Sequence, residues 1–339
     1  MLNTKPFLIC ALLALSAPVL AQTPPASHGE ETALGIAMET LPYPGPVDFL
    51  PLVNGGQDVR MAYMDLPARG QPNGKTVLLL HGRSLAGAAW GELIQHLNAR
   101  GYRVVAPDQI GFGKSSKPDL NYSFDLLASN TIALLDHLRL GSVIVIGHSF
   151  GGMLAAHLAA NYPDRVQRLV LEDALGLEDY RRYTAPRSLE QRYAQAMALT
   201  PGRLRADFHA QFAHESDQEA ALIAPAVRML RSAEYPRLAR ANALIDQMIS
   251  QQPVLSELPR IAAPTLLIVG AADRFAPDRA YARGAQVQRM GDMPALHRAA
   301  AGAIQNARVV EIAEAGHMPH LEAPQAFDQA LDGFLDDAQ

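Results

Sequence analysis

Short apolar runs recur along this chain with no polar face. Thr76-Val77-Leu78-Leu79-Leu80, Val143-Ile144-Val145-Ile146 and Thr265-Leu266-Leu267-Ile268-Val269 are continuous, and Val166–Leu171 is nearly so. A half-buried strand alternates polar and apolar residues, whereas a strand covered on both faces does not. Covered strands need helices on either side, and helical spacing stands between the runs. Trp90, Leu93, Ile94 and Leu97 mark a helix over Trp90–Arg100 that stops at Gly101, a capping residue. Ser123–Leu138, the Ala-rich Gly151–Ala160 and a final segment from about Pro324 to Leu335 read the same way. Val59–Asp65, Tyr102–Ala106 and Arg308–Ile312 supply further strands. The alternation predicts an α/β fold with a mostly parallel, doubly wound sheet.

The rhythm breaks between about Gly176 and Leu258, where the chain is rich in Arg, Ala, Met and Gln and offers no strand. Residues 176–257 are therefore expected to form a helical cap over the carboxyl edge of the sheet. The core is then split into residues 22–175 and 258–339, with the proline-bearing stretch 22–45 an irregular arm. Met197, Met229 and Met248 suit an adaptable apolar lining, or ordinary packing between helices. Arg181, Arg182 and Arg187 read as solvated. Between Asp273 and the strand at Arg308 lie about 35 residues, room for an extra helix beside a pocket.

Residues 1–21 read as an address. Lys5 gives a positive start, Phe7–Leu15 is apolar, and Ala17-Pro18-Val19-Leu20-Ala21 presents small residues ahead of Gln22. The apolar run is shorter than the roughly 20 residues that span a bilayer, so a signal peptide cut near Ala21 is expected. The mature protein would be exported, periplasmic or secreted, without a stable membrane anchor. The only cysteine, Cys10, lies within that segment, which removes disulfides, Cys-rich zinc sites and a cysteine nucleophile from the mature chain. Net charge is −5 and no long basic run exists, so a nucleic acid, which is held by Lys and Arg against phosphate, is not an expected partner.

Candidate chemistry gathers where strands end. Gly147-His148-Ser149-Phe150-Gly151 joins a strand to a helix. A G-x-S-x-G match arises by chance in roughly one chain of this size in ten, so its setting carries the weight. A nucleophilic serine needs a tight, strained turn between strand and helix, flanked by small residues. Ser149 has that setting, while Gly82-Arg83-Ser84-Leu85-Ala86 lacks the last glycine and an immediate helix. A serine needs a base, and the base an orienting carboxylate. The order serine, acid, histidine points to Asp273 after the Thr265–Val269 strand, and to His317 in Gly316-His317-Met318-Pro319-His320. Asp173 and Asp278 are alternative acids, and His320 is an alternative base. Backbone donors for an oxyanion are expected from Phe150 and from Arg83, with Ser84 next. The Arg83 side chain could also meet a substrate carboxylate or phosphate.

Neither a metal nor an organic cofactor is expected. His317 and His320 lack the companions that complete a zinc site. Gly113-Lys114-Ser115 imitates the end of a phosphate-binding loop, but position 108 is Asp where that motif needs Gly.

Taken together, His81-Gly82 through Trp90, Asp108 through Ser115, Gly147-His148-Ser149-Phe150-Gly151-Gly152, Gly270 through Asp273 and Gly316-His317 resemble the α/β-hydrolase superfamily. The likeness is strongest to its branch of esterases, epoxide hydrolases, haloalkane dehalogenases and carbon–carbon bond hydrolases. It runs from about residue 50 to the end, with the helical insertion where that branch carries its cap. The epoxide hydrolases and dehalogenases of the branch use an Asp nucleophile, and Ser149 stands against both. The loop His81-Gly82-Arg83-Ser84 lacks the Gly-rich stretch of many lipases. The expectation is a serine hydrolase acting on a small, apolar carboxylic ester, a small-molecule partner. Lactone, carbon–carbon or aminopeptide cleavage and perhydrolase activity are alternatives on the same triad. A small-ligand receptor on a hydrolase fold is the reading from outside catalysis.

Overall fold

A computed structural model describes residue 1 and residues 32–337. The expected signal peptide and its cleavage point lie outside the described residues. Eight strands form one sheet. They are β1 (Asp48–Asn54), β2 (Gln57–Leu66), β3 (Thr76–Leu80), β4 (Arg103–Pro107), β5 (Val143–His148), β6 (Val166–Glu172), β7 (Thr265–Gly270) and β8 (Ala307–Ile312). Their order is β1-β2-β4-β3-β5-β6-β7-β8. The β1–β2 and β2–β4 pairs are antiparallel and all other neighbours are parallel. Strand β1 is absent from the sequence reading. It folds back on β2 with Asn54 opposite Gln57, and Gly55 and Gly56 take φ +55° and +76°, the left-handed pair that a two-residue hairpin loop requires.

The helices are α1 (Gly91–Ala99), α2 (Phe124–His137), α3 (Phe150–Asn161), α4 (Leu189–Met197), α5 (Pro201–His209), α6 (Asp217–Met229), α7 (Tyr235–Gln251), α8 (Met293–Ala303), α9 (Pro319–Glu322) and α10 (Pro324–Asp336). Strand β3 shows why the apolar runs are continuous. Val77 and Leu79 pack with Leu93 and Leu97 of α1 and Phe327 and Leu331 of α10. Leu78 and Leu80 face the opposite layer, with Leu127 of α2 and Met153 and Leu154 of α3. Each such side chain contributes about 1.5–3 kcal/mol by leaving water. Helix α2 starts where expected because the Ser123 hydroxyl accepts from the Leu126 amide, an N-cap.

Helices α4–α7 lie between β6 and β7, where no strand was foreseen. Helix α7 belongs to two cores. Tyr235, Leu238 and Ala239 pack with Leu34, Ala196 and Met229, whereas Leu244, Ile245, Met248 and Ile249 join the sheet core. The three methionines therefore form no common lining: Met229 and Met248 sit in different cores, and Met197 is exposed. Arg187 is not solvated either. It pairs with Asp278 at 3.2 Å and lies 3.7 Å from the centre of the Tyr281 ring. The long stretch after Asp273 holds α8, whose Met293 and Ala300 cover the sheet.

The segment that imitates a phosphate loop is a braced turn. Asp108 Oδ1 accepts from the Gly87 amide at 2.7 Å, and Oδ2 accepts from the Tyr43 hydroxyl at 2.6 Å and the Lys114 amide at 2.7 Å. A Cβ on Gly113 would lie 2.1 Å from Asp108 Oδ2. The carboxylate occupies the space that a phosphate would need.

Candidate active site

Strand β5 delivers Ser149 to the start of α3, and the connection leaves its backbone at φ +57°, ψ −117°. That region is costly for a residue with a Cβ, of order 1–3 kcal/mol, so its surroundings must enforce it. They do so by close approach: a Cβ on Gly147 would sit 2.3 Å from the Gly151 carbonyl oxygen, and one on Gly151 2.1 Å from the Leu80 oxygen. The glycines let strand, turn and helix pass at distances no other residue allows.

Two distant loops reach this serine. Asp273 follows β7, and His317 lies between β8 and α9. His317 Nε2 is 2.9 Å from Ser149 Oγ, and His317 Nδ1 is 2.7 Å from Asp273 Oδ2. An ionised Asp273 can only accept, so Nδ1 carries the proton and Nε2 is free to accept from the Ser149 hydroxyl. The other carboxylate oxygen of Asp273 accepts from the Phe275 amide at 2.7 Å. All three residues are buried, with 3%, 2% and 1% exposure for Ser149, Asp273 and His317. In this arrangement a hydroxyl can lose its proton to an imidazole whose resulting charge a carboxylate stabilises.

The remaining candidates fall elsewhere. His320 does not approach Ser149; its Nδ1 and its amide both bind Glu172 Oε1, at 2.7 and 2.9 Å. Asp278 joins Arg187, Arg192 and Ser250 in a separate buried ion cluster. Phe150 is the first residue of α3, a position whose amide has no partner within the helix. Arg83 follows Gly82, which borders the serine: a Cβ on Gly82 would lie 3.4 Å from the Ser149 Cβ. The Arg83 guanidinium is bound at both ends by Asp246 of α7, at 2.6 and 3.1 Å. The structure thus supplies it with a carboxylate from the chain itself.

A family model described as alpha/beta hydrolase fold matches residues 75–324. The chain belongs to this family. Among curated proteins, this α/β hydrolase is 29% identical to 2-hydroxymuconate semialdehyde hydrolase of Pseudomonas putida, over 84% of its own length and 95% of the relative's. Among solved structures, it superposes with TM-score 0.88 on a probable hydrolytic enzyme of Pseudomonas aeruginosa PAO1. That match has 37% identity and covers 91% of this chain and all of the other. A thermophilic esterase of Thermogutta terrifontis matches with TM-score 0.65 and 25% identity, covering 85% of this hydrolase and 98% of the esterase.

Around the triad, the α/β hydrolase carries further buried groups, the first of them Asp173, an alternative acid of the sequence reading. Asp173, fully buried at the end of β6 with φ +40°, accepts from the Gly270 amide at 3.2 Å. Its carboxylate shares a hydrogen bond with Asp273. Burial first, and then the Asp273 charge, hold Asp173 well above the usual carboxylate range. Burial opposes ionisation of Asp273 too, but His317, the Asp173 hydrogen bond and the Phe275 amide outweigh it and hold Asp273 below that range. Of the two carboxyls, Asp173 is the one whose surroundings favour keeping a proton, behind the carboxylate that orients His317. Ligand atoms of Asp173, Asp273 and His317 lie within 4.8 Å of one another.

This pair predicts a pH dependence of stability. The native state keeps a proton on Asp173 that the unfolded chain releases above an ordinary pKa of about 3.9. Native protein then binds more protons than unfolded protein, so stability falls as pH rises from there toward the raised native value. Asp173→Asn, which keeps a donor but cannot titrate, is expected to flatten that decline. Melting temperatures of both proteins across the weakly acidic to alkaline range check it, and parallel curves count against a protonated Asp173.

Behind His317, the imidazole of His148 bonds the His317 carbonyl through Nε2 at 2.7 Å. Burial pushes its pKa down to about 3, so it is neutral and donates that proton. Glu172 is buried as well; burial favours its neutral form, but His320, through its ring and its amide, holds its pKa below the usual range. Only the adjacency of His148 to Ser149 and of His320 to His317 could have flagged this support from sequence.

Proposed function

We propose that this α/β hydrolase is a serine hydrolase that cleaves a carboxylic ester of a small, apolar substrate through an acyl-enzyme. The hydrogen-bonded chain from Ser149 through His317 to Asp273 is the observation that carries the reading. Ser149 Oγ forms a bond to the carbonyl carbon while His317 Nε2 takes the hydroxyl proton. The amides of Phe150 and Arg83 bind the oxyanion. Collapse breaks the bond to the alcohol oxygen, which leaves with the proton from His317. Water then gives its proton to His317 as it attacks the acyl carbon, and the same proton returns to Ser149 as the acid departs. Positive charge develops on His317, beside the Asp273 carboxylate 2.7 Å away, and negative charge on the substrate oxygen that the two amides face.

Initial rates on p-nitrophenyl esters of increasing acyl length test this reading, and the optimum length measures the pocket beneath the helical insertion. Turnover that depends on Ser149 is the expected result. A second reading, cleavage of a carbon–carbon bond beside a carbonyl, is favoured by the likeness to 2-hydroxymuconate semialdehyde hydrolase over 84% of the chain. Failure to hydrolyse any ester, with Ser149 still labelled by a fluorophosphonate and a vinylogous diketone cleaved, decides for that alternative.

A further inference from the structure

The loop that carries His317 is held by one carboxylate. Glu322, at the end of the single-turn helix α9, is half-buried. Its Oε1 accepts from the amides of Gly316 at 2.9 Å and Met318 at 3.2 Å, the two residues that flank His317. Its Oε2 accepts from the Ala213 amide at 2.7 Å. The amide between the flanking pair, that of His317 itself, donates to the Gln211 carbonyl at 2.7 Å. Gln211 and Ala213 belong to the turn between α5 and α6, within the helical insertion. Gly316 presses against that turn so closely that a Cβ would lie 2.5 Å from the Gln211 oxygen and 2.8 Å from the Ala213 nitrogen.

Three consecutive amides of the histidine loop therefore have acceptors, two on Glu322 and one on the insertion. Hydrogen bonds to a carboxylate are roughly twice as strong as those between neutral groups. We propose that Glu322 is a positioning residue that fixes His317 and makes its alignment depend on the seating of the α5–α6 turn. This rests on reading Ser149, His317 and Asp273 as the catalytic unit. The same carboxylate holds the loop with one oxygen and the insertion with the other. A shift of the insertion removes the Ala213 bond and the acceptor of the His317 amide together, so the base loses alignment when the insertion lifts. Substrate capture and base alignment become one event.

The test compares Glu322→Ala and Glu322→Gln with the parent and with Ser149→Ala. A misplacement of about 1 Å can cost 10²-fold, so Glu322→Ala is expected to lower kcat by about 10- to 100-fold with little change in KM. The rate of fluorophosphonate labelling should fall in parallel, and the downfield proton resonance of the His317–Asp273 hydrogen bond should weaken. Glu322→Gln keeps an oxygen for Gly316 and Met318 but faces the Ala213 amide with an NH₂, so it should recover only part of kcat. Unchanged kcat and resonance in folded Glu322→Ala overturns the proposal, as does a Glu322→Gln variant as slow as Glu322→Ala with the resonance intact in both. Should Glu322→Ala fail to fold, hydrogen exchange on the parent decides. The amides of Ala213, Gly316, His317 and Met318 should open as one unit, and separate opening overturns coupling to the insertion. Activity surviving in Ser149→Ala refutes the serine-hydrolase reading itself, whereas an inert Ser149→Ala beside an unaffected Glu322→Ala refutes only the role of Glu322.

Discussion

Ser149→Ala is expected to lose turnover on the order of 10⁶-fold, because members of a triad act as a unit and the nucleophile cannot be replaced within it. The variant keeps the amides of Phe150 and Arg83, so any residual rate measures oxyanion binding alone. His317→Ala should fall as far, and the double variant little further, since a base without a nucleophile has no proton to take. Ester hydrolysis by the three variants, corrected for contaminating activity by stoichiometric fluorophosphonate labelling, checks this. Near-normal hydrolysis by Ser149→Ala would sink the assignment. The backbone gives a second readout. Alanine keeps a Cβ at φ +57° and so keeps the strain, whereas Ser149→Gly is equally inactive but relieves it. Glycine at this position should therefore raise stability over alanine by about 1 kcal/mol, measurable by denaturant unfolding.

Asp273→Asn is expected to cost about 10⁴-fold in kcat while leaving the fold intact. The asparagine can turn its NH₂ toward His317 Nδ1, which then accepts, placing the imidazole proton on Nε2 where it faces Ser149. A base whose free nitrogen points away from the hydroxyl cannot activate it. KM should change little, because the lost interaction strengthens only as His317 becomes charged. Asp173 makes the comparison decisive, as the second carboxyl within reach of His317. Asp173→Asn keeps a hydrogen-bond donor toward Asp273 and is expected to remain active to within about tenfold. A greater loss in Asp173→Asn than in Asp273→Asn would transfer the orienting role to Asp173.

Strands β3, β5 and β7 were legible to the residue or nearly so, because burial on both faces leaves runs with no polar interruption. Strand β1 was not. Phe49 and Val53 are exposed on it at 41% and 68%, and Pro51 sits at its centre, a residue tolerated only where an edge strand leaves its amide unused. Ser149, Asp273 and His317 were readable because each lies directly beyond a strand, where the fold collects its chemistry. Their supports were not. Glu172, Asp246 and, through Ala213, Glu322 are charged residues with partners far along the chain, Arg83 and Asp246 being 163 positions apart. A lone carboxylate in sequence looks like surface until the partner is seen. Of the methionines of the insertion, Met229 and Met248 took the core packing that was one of their two expected fates; helical spacing reveals that a face is buried and leaves open which core it enters.

Helix α7 bears on how specificity could be exchanged between members of this fold. Its first half belongs with α4 and the arm residue Leu34, and its second half is part of the sheet core. The insertion therefore has no clean seam at its downstream end. A chimera that replaces α4–α6 but retains α7 cuts across the cluster around Met229 and the one that joins Phe208, Ile223 and Val227 to Leu85, Met318 and Leu321. It must also keep the Gln211 and Ala213 contacts to the histidine loop. A graft that swaps α7 as well removes Leu244, Ile245, Met248 and Ile249 from the sheet core and must rebuild the domain's interior. An exchange that stops before Tyr235 leaves the part of α7 that belongs to the sheet core in place.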